Sequence, residues 1–160
     1  MEPKRKNIRL KNYDYRQNGL YFITISTHNR QKIFTEEAKP LISETYKLLE
    51  SKYPYCRVVE EITMPNHIHC ILGLEGEDPL EERQSISQIL QWFKGITTIH
   101  YIKKVKEGKL PPFEDKVWQK GFYERVLRSE EEAYQVRKYI RENPLKLKLL
   151  QEEWKKKDRE

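Results

Sequence analysis

The stretch CRVVEEITMPNHIHCILGL, residues 56–74, constrains this chain more than any other. Two strand-like runs, 56–63 and 67–74, are separated only by Met64-Pro65-Asn66. A connection that short makes a tight turn, so the runs form an antiparallel hairpin. The second run alternates. Ile68, Cys70, Leu72 and Leu74 point one way, and His67 and His69 point the other, because side chains on a strand change face at every residue. The apolar set belongs in a core beneath packed helices. The histidines then face the opposite side of the sheet.

Helical and strand patterns flank the hairpin. Leu20–His28 (LYFITISTH) follows an Asn18-Gly19 turn signal and reads as a first strand. In residues 35–52, Leu41, Ile42, Thr45, Leu48 and Leu49 recur at helical spacing. Thr35 is the candidate cap, and Pro40 delays the helix start. After a polar loop, Ser85 and Gln88 form a capping-box pattern ahead of Ile86, Ile89, Leu90, Phe93 and Thr97. Phe122–Arg128 reads as a fourth strand. Ser129 with Glu132 repeats the capping box before a helix that ends at Asn143-Pro144. The order β-α-β-β-α-β plus a helix predicts an α+β, ferredoxin-like split βαβ fold. Its antiparallel sheet carries two helices on one face and the C-terminal helix on the other. Residues 1–150 read as a single domain that opens with a basic arm, 1–12. Residues 151–160, QEEWKKKDRE, read as a charged tail or a last frayed turn.

Composition narrows the function class. Charged residues make up 35% of the 160 and the net charge is +6, a balance that favours an anionic partner such as nucleic acid. No apolar run approaches the roughly 18 residues of a membrane span, so no membrane partner is expected. The N-terminus has no apolar stretch of the kind a secretory signal needs, and the expected compartment is cytoplasmic. Cys56 and Cys70 form no CxxC pair, so neither a zinc finger nor a redox motif is supported.

Two imidazoles at i and i+2 can converge on one ion but cannot hold it alone. The last helix offers Tyr139 and Asn143, one turn apart on a single face. A set of two histidines and an amide oxygen suits Mg2+ or Mn2+ better than zinc, whose structural sites recruit thiolates. By spacing alone, Tyr139 reads rather as an extension of the apolar side marked by Val136 and Ile140 than as a catalytic group, and the histidine pair rather as a polar patch on a sheet than as a metal site.

These segments resemble the single-tyrosine HUH transposases, and within them the REP-associated tyrosine transposases. MPNHIHCIL resembles their histidine–apolar–histidine motif. ISQILQWFKGITT resembles the helix that follows, and YIRENP matches their YIxxNP block. The resemblance spans roughly residues 13–148 in family order. It implies a divalent metal on His67 and His69, Asn143 as third ligand, and Tyr139 as a nucleophile forming a 5′-phosphotyrosine link in single-stranded DNA beside hairpin-forming repeats. The expected function is a metal-dependent endonuclease and strand transferase. Two alternatives stay open, a nucleic-acid-binding module without cleavage and a hydrolytic nuclease in which water attacks. Lys4, Arg5, Lys6, Arg9, Arg30, Lys94 and Arg128 are candidate DNA contacts. Relatives set the tyrosine helix over their own histidines or over a partner's, so a homodimer is an open expectation. Glu61 faces His69 in one register of the hairpin; that register is open, so Glu61 is no part of the expected site.

Overall fold

The computed structural model describes residues 13–158; the arm residues Lys4, Arg5, Lys6 and Arg9 lie outside the described residues. Four strands, β1 (Gly19–Ser26), β2 (Cys56–Met64), β3 (His67–Leu74) and β4 (Tyr123–Leu127), form one sheet in the order β2-β3-β1-β4. Every pairing is antiparallel. The helices are α1 (Lys39–Lys52), α2 (Ile86–Lys106), α3 (Glu130–Glu142) and α4 (Pro144–Lys157). This is the split βαβ arrangement that the sequence pattern predicts, with one more helix.

The sheet separates two cores. Tyr21, Ile23 and Ile25 of β1 and Ile68, Cys70, Leu72 and Leu74 of β3 pack with α1 and α2. On the other face, Phe22 and Ile71 pack with Ala133, Val136 and Ile140 of α3 and Leu147 and Trp154 of α4. Slipping β3 by one residue would drive both histidines into the apolar core under α1 and α2, away from Asn66 and Thr24, and turn the apolar set of β3 to the α3/α4 face, which fixes the register.

Several expectations change. The first strand stops at Ser26, because Asn29 and Arg30 adopt positive φ (54° and 53°) and turn the chain away. Ala38, not Thr35, takes the position before α1, after a 3-10 turn over Glu36–Ala38, and Pro40 sits in the first turn of α1. The Ser85 box forms in full, with Gln88 N donating to Ser85 Oγ (3.3 Å) and Ser85 N donating to Gln88 Oε1 (2.8 Å). The Ser129 box forms by half. Glu132 N donates to Ser129 Oγ (3.0 Å), but the Glu132 carboxylate accepts from Arg125 instead.

A bulge between Val58 and Glu60 adds one residue to β2. Extending the Cys56–Leu74 pairing along the hairpin would set Glu61 against His69. With the extra residue, Ile62 pairs with His69 and Glu61 with Cys70. Glu61 therefore turns to the α1/α2 side and cannot orient His69.

The largest correction is at the C-terminus. Residues 151–157 are not a tail: α4 runs across position 150 without a break, with Leu147, Gln151 and Trp154 buried. Pro144 ends α3 and also opens α4, where its fixed φ and missing N–H suit the first helical position. Among the described residues, no helix is long and apolar enough to cross a membrane.

Candidate functional site

Strand alternation puts His67 and His69 on the α3/α4 face of β3, with ring centroids 4.8 Å apart. Beside them opens a cleft of about 270 Å³. Its walls come from Thr24 and Ser26 of β1, Arg30, the loop Gln119–Phe122, Tyr123 of β4, and Lys148, Gln151, Glu152 and Lys155 of α4. The cleft therefore opens on the β1/β4 side of the histidines.

Each ring is held through Nδ1. Asn66 Nδ2 donates to the Arg30 carbonyl (3.4 Å), which turns Asn66 Oδ1 towards His67 Nδ1 at 2.6 Å. An amide oxygen only accepts, so His67 Nδ1 carries the proton and Nε2 keeps its lone pair. His69 Nδ1 lies 2.8 Å from Thr24 Oγ1, which accepts from Gln151 Nε2 (3.0 Å). The His69 ring also stacks on Phe22, with centroids 5.7 Å apart. Burial pulls the His67 pKa down to about 4, helped by the charges of Arg30 and Lys148. Burial and the neighbouring His67 and Lys155 take His69 down to about 3. Both rings are neutral at pH 7, the form that donates a lone pair.

The other expected residues are distributed unevenly. Arg30 lines the cleft, held there in the left-handed backbone region. Lys94 does not line it; its Nζ donates to the carbonyls of Gln119 (2.9 Å) and Gly121 (2.6 Å), securing the loop that forms one wall. Gly121 has φ +82°, which favours glycine at that turn. Arg128 is exposed just beyond β4 and away from the lining. Asn143 is outside the lining as well. Its Oδ1 accepts from Lys146 N (3.2 Å) and caps α4.

Tyr139 shares the histidines' sheet face and packs against the α3/α4 cluster, as does Ile62, the residue paired with His69. It is not part of the cleft lining. Gln135 Nε2 donates to its hydroxyl at 3.3 Å, and the Lys146 ammonium lies 5.9 Å from its ring. Arg137 and Arg141, two residues to either side of Tyr139, both donate to Glu60 of β2 (3.4 and 2.8 Å) and tie α3 to the sheet. Of the remaining histidines, His28 pairs with Asp115 at 3.2 Å.

Sequence reasoning missed Thr24, Asn66, Lys148, Gln151 and Lys155. A signal existed for α4: Leu147, Gln151 and Trp154 recur at i, i+4 and i+7, one helical stripe within a charged segment.

A family model described as "Transposase IS200 like" matches residues 16–143. A Haemophilus influenzae protein of uncharacterised function is 29% identical, with 88% of each chain covered. A second from the same organism, provisionally named a REP-associated tyrosine transposase, is 27% identical over 83% of this chain and 74% of its own. Among solved structures, a REP-associated tyrosine transposase bound to a REP hairpin superposes with TM-score 0.60 at 21% identity, covering 86% of this chain and 73% of that one. A Deinococcus radiodurans protein, provisionally named a transposase, gives TM-score 0.57 at 17% identity, covering 84% and 96%.

Proposed function

The chain belongs to the IS200-like transposase family, and from that membership we propose that it cuts and rejoins single-stranded DNA beside a hairpin, with Tyr139 as the nucleophile and the histidine cleft as the phosphate site. One observation carries the reading. Two neutral imidazoles, each tethered through Nδ1, stand beside a cleft rimmed by Arg30, Lys148 and Lys155. Neutral ring nitrogens suit a divalent cation, and the cationic rim suits a phosphate.

His67 and His69 would hold Mg2+ or Mn2+ through Nε2. When bound, such an ion polarises a phosphoryl oxygen as a Lewis acid. The chain's own residues do the rest. Arg30, Lys148 and Lys155 attract and orient the DNA phosphate, and Lys94 keeps the loop wall in place. The Tyr139 oxygen forms a bond to phosphorus as the bond to the 3′ oxygen breaks. The phenolic proton is lost and the departing oxygen gains one, giving a free 3′-hydroxyl and a 5′-phosphotyrosine. The covalent link keeps the phosphoester energy for rejoining, which hydrolysis would dissipate. Tyr139 packs on the sheet face that carries the histidines, and an in-line attack needs its oxygen on the side of phosphorus opposite the leaving 3′ oxygen. Arg141 is engaged with Glu60, so Lys146 is the cation better placed to ease the phenol's deprotonation.

A second reading is a hydrolytic nuclease in which water attacks, favoured by the position of Tyr139 outside the cleft lining. Labelled single-stranded hairpin DNA incubated with the protein and Mn2+, then run on a denaturing gel, separates the readings. A covalent adduct absent from Tyr139→Phe is expected. Cleavage that persists in that variant overturns the tyrosine mechanism in favour of water. Tight binding with no cleavage leaves a binding module. Mixing Tyr139→Phe with His67→Ala shows whose tyrosine acts, since an adduct in the mixture needs the tyrosine of one copy over the histidines of another.

A further inference from the structure

We propose that Gln31 is a positioning residue: its amide clasps the loop at residues 114–116 and so holds the Asn29–Arg30 turn, and with it the Arg30 guanidinium, at the rim of the histidine cleft. The inference rests on the reading of Arg30 as a phosphate contact and names what keeps it there.

Backbone strain marks the place. Among the described residues, three that are not glycine have φ in the left-handed region: Asn29 (54°), Arg30 (53°) and Asp115 (62°). A residue with a Cβ enters that region only at a cost, and arginine lacks the short polar side chain that lets Asn and Asp recover some of it. All three lie at one junction, where the turn after β1 meets the loop between α2 and β4. Strain of this kind persists only where the surroundings over-determine it, and it collects at functional positions. Its product is visible here. Arg30 lines the cleft, and its carbonyl accepts from Asn66 Nδ2, the amide whose oxygen holds His67.

Gln31 supplies the restraint with its whole amide. Nε2 donates to the carbonyls of Lys116 (2.8 Å) and Glu114 (3.2 Å), and Oε1 accepts from Glu114 N (2.9 Å). The turn is also closed across its base. Thr27 Oγ1 donates to the Gln31 carbonyl (2.8 Å), and Arg30 N donates to the Thr27 carbonyl (3.0 Å). On the other flank, His28 N donates to the Val117 carbonyl (2.9 Å), and the His28 ring pairs with Asp115 at 3.2 Å. Asn29 and Arg30 are therefore bracketed by two residues bound to one loop. The Asp115 side chain is 73% exposed, so its ion pair is the weaker tether. Gln31 carries no charge and does not line the cleft. Its effect on DNA therefore passes through Arg30.

The test is the salt dependence of binding by the full chain to labelled single-stranded DNA that carries a hairpin, with EDTA present so that binding is read apart from cleavage. Arg30→Ala is expected to lower the slope of log affinity against log salt by about 0.7, the share of one phosphate on a single strand. Gln31→Leu should lower it by a similar amount. The double variant should lose no more than Arg30→Ala alone, because both changes act through one contact. Gln31→Asn is one methylene too short to span to the loop. It should match Gln31→Leu and stands in for it if leucine costs the fold, which circular dichroism and urea unfolding check. The inference falls if the folded Gln31 variants keep the wild-type slope, the result of a clasp that is structural only. It also falls if the losses of affinity in Gln31→Leu and Arg30→Ala add, which would make Gln31 a DNA contact of its own. A wild-type slope in Arg30→Ala overturns the phosphate reading of the rim, and the inference with it.

Discussion

Trp154→Ala tests whether the last helix is part of the fold. Trp154 is 6% exposed, and its ring meets Phe22 edge-on at 6.0 Å. The Arg125 guanidinium lies 4.2 Å over the same ring. Truncating a buried tryptophan to alanine costs about 3–5 kcal/mol, made up of lost transfer energy and the cavity left behind. The aromatic pair alone is about 0.5–1.5 kcal/mol of that. Arg125 keeps its Glu132 carboxylate, so the cation–π contact adds little beyond the cavity term. The expected loss is therefore about 3–5 kcal/mol, at least about a fifth of the stability of an ordinary domain. Urea unfolding followed by circular dichroism, extrapolated linearly to water, measures it. Phe22 also stacks on His69, so Mn2+ affinity should fall with stability. A loss below about 1 kcal/mol is what a surface substitution gives. That result would restore the charged-tail reading of residues 151–157.

Two further outcomes follow from the same structure. Lys94→Met should speed amide hydrogen exchange in residues 119–121 while the salt slope of DNA affinity stays as in wild type. A slope reduced by about one would instead make Lys94 a phosphate contact. Glu61→Gln should stabilise the protein at neutral pH. Burial raises the Glu61 carboxyl above its ordinary value, and Oε2 has no hydrogen-bond partner. The folded state therefore binds the proton more tightly than the unfolded one, and the penalty is full above the folded pKa. The gain from glutamine should shrink as pH falls through that value and vanish below the ordinary carboxylate range near 4.3. A gain constant from pH 7 to pH 4 would refute this cause.

The hairpin and the placement of the histidines were legible because one residue of slip reverses every side chain of β3. The Ser85 box was legible because cap, third residue and apolar stripe all agree. The bulge in β2 was not. It inserts one residue with no glycine to mark it, and only the opposed strand shows that the register has changed. The α4 stripe was obscured by Glu152, Glu153 and Lys155–Lys157, whose charges dominate any local average. Pro144 was read only as a stop, although the same residue can open the next helix. Glu132 and Lys94 show a further limit. Each obeys a local expectation in type, yet takes a partner from elsewhere in the chain, Arg125 in one case and two loop carbonyls in the other. Asn143 follows the same pattern, since a family position says nothing of the helix cap it supplies here.

Under the proposed function, the charges around the histidines would make the ion and the phosphate depend on each other. Arg30 and Lys148 act on His67, and Lys155 on His69, in the direction that keeps the rings neutral. The same positive field opposes entry of a bare divalent cation and favours a phosphate. A phosphate that answers Arg30, Lys148 and Lys155 removes that opposition, so each ligand raises the affinity for the other by the same factor. Glu152 is the acidic residue of the rim and offsets three cations only in part. Under the proposed function, the cleft would assemble its chemistry on the DNA rather than ahead of it. Mn2+ affinity should rise when an oligonucleotide occupies the rim, and charge reversal at Lys148 should weaken that coupling more than it weakens Mn2+ binding alone.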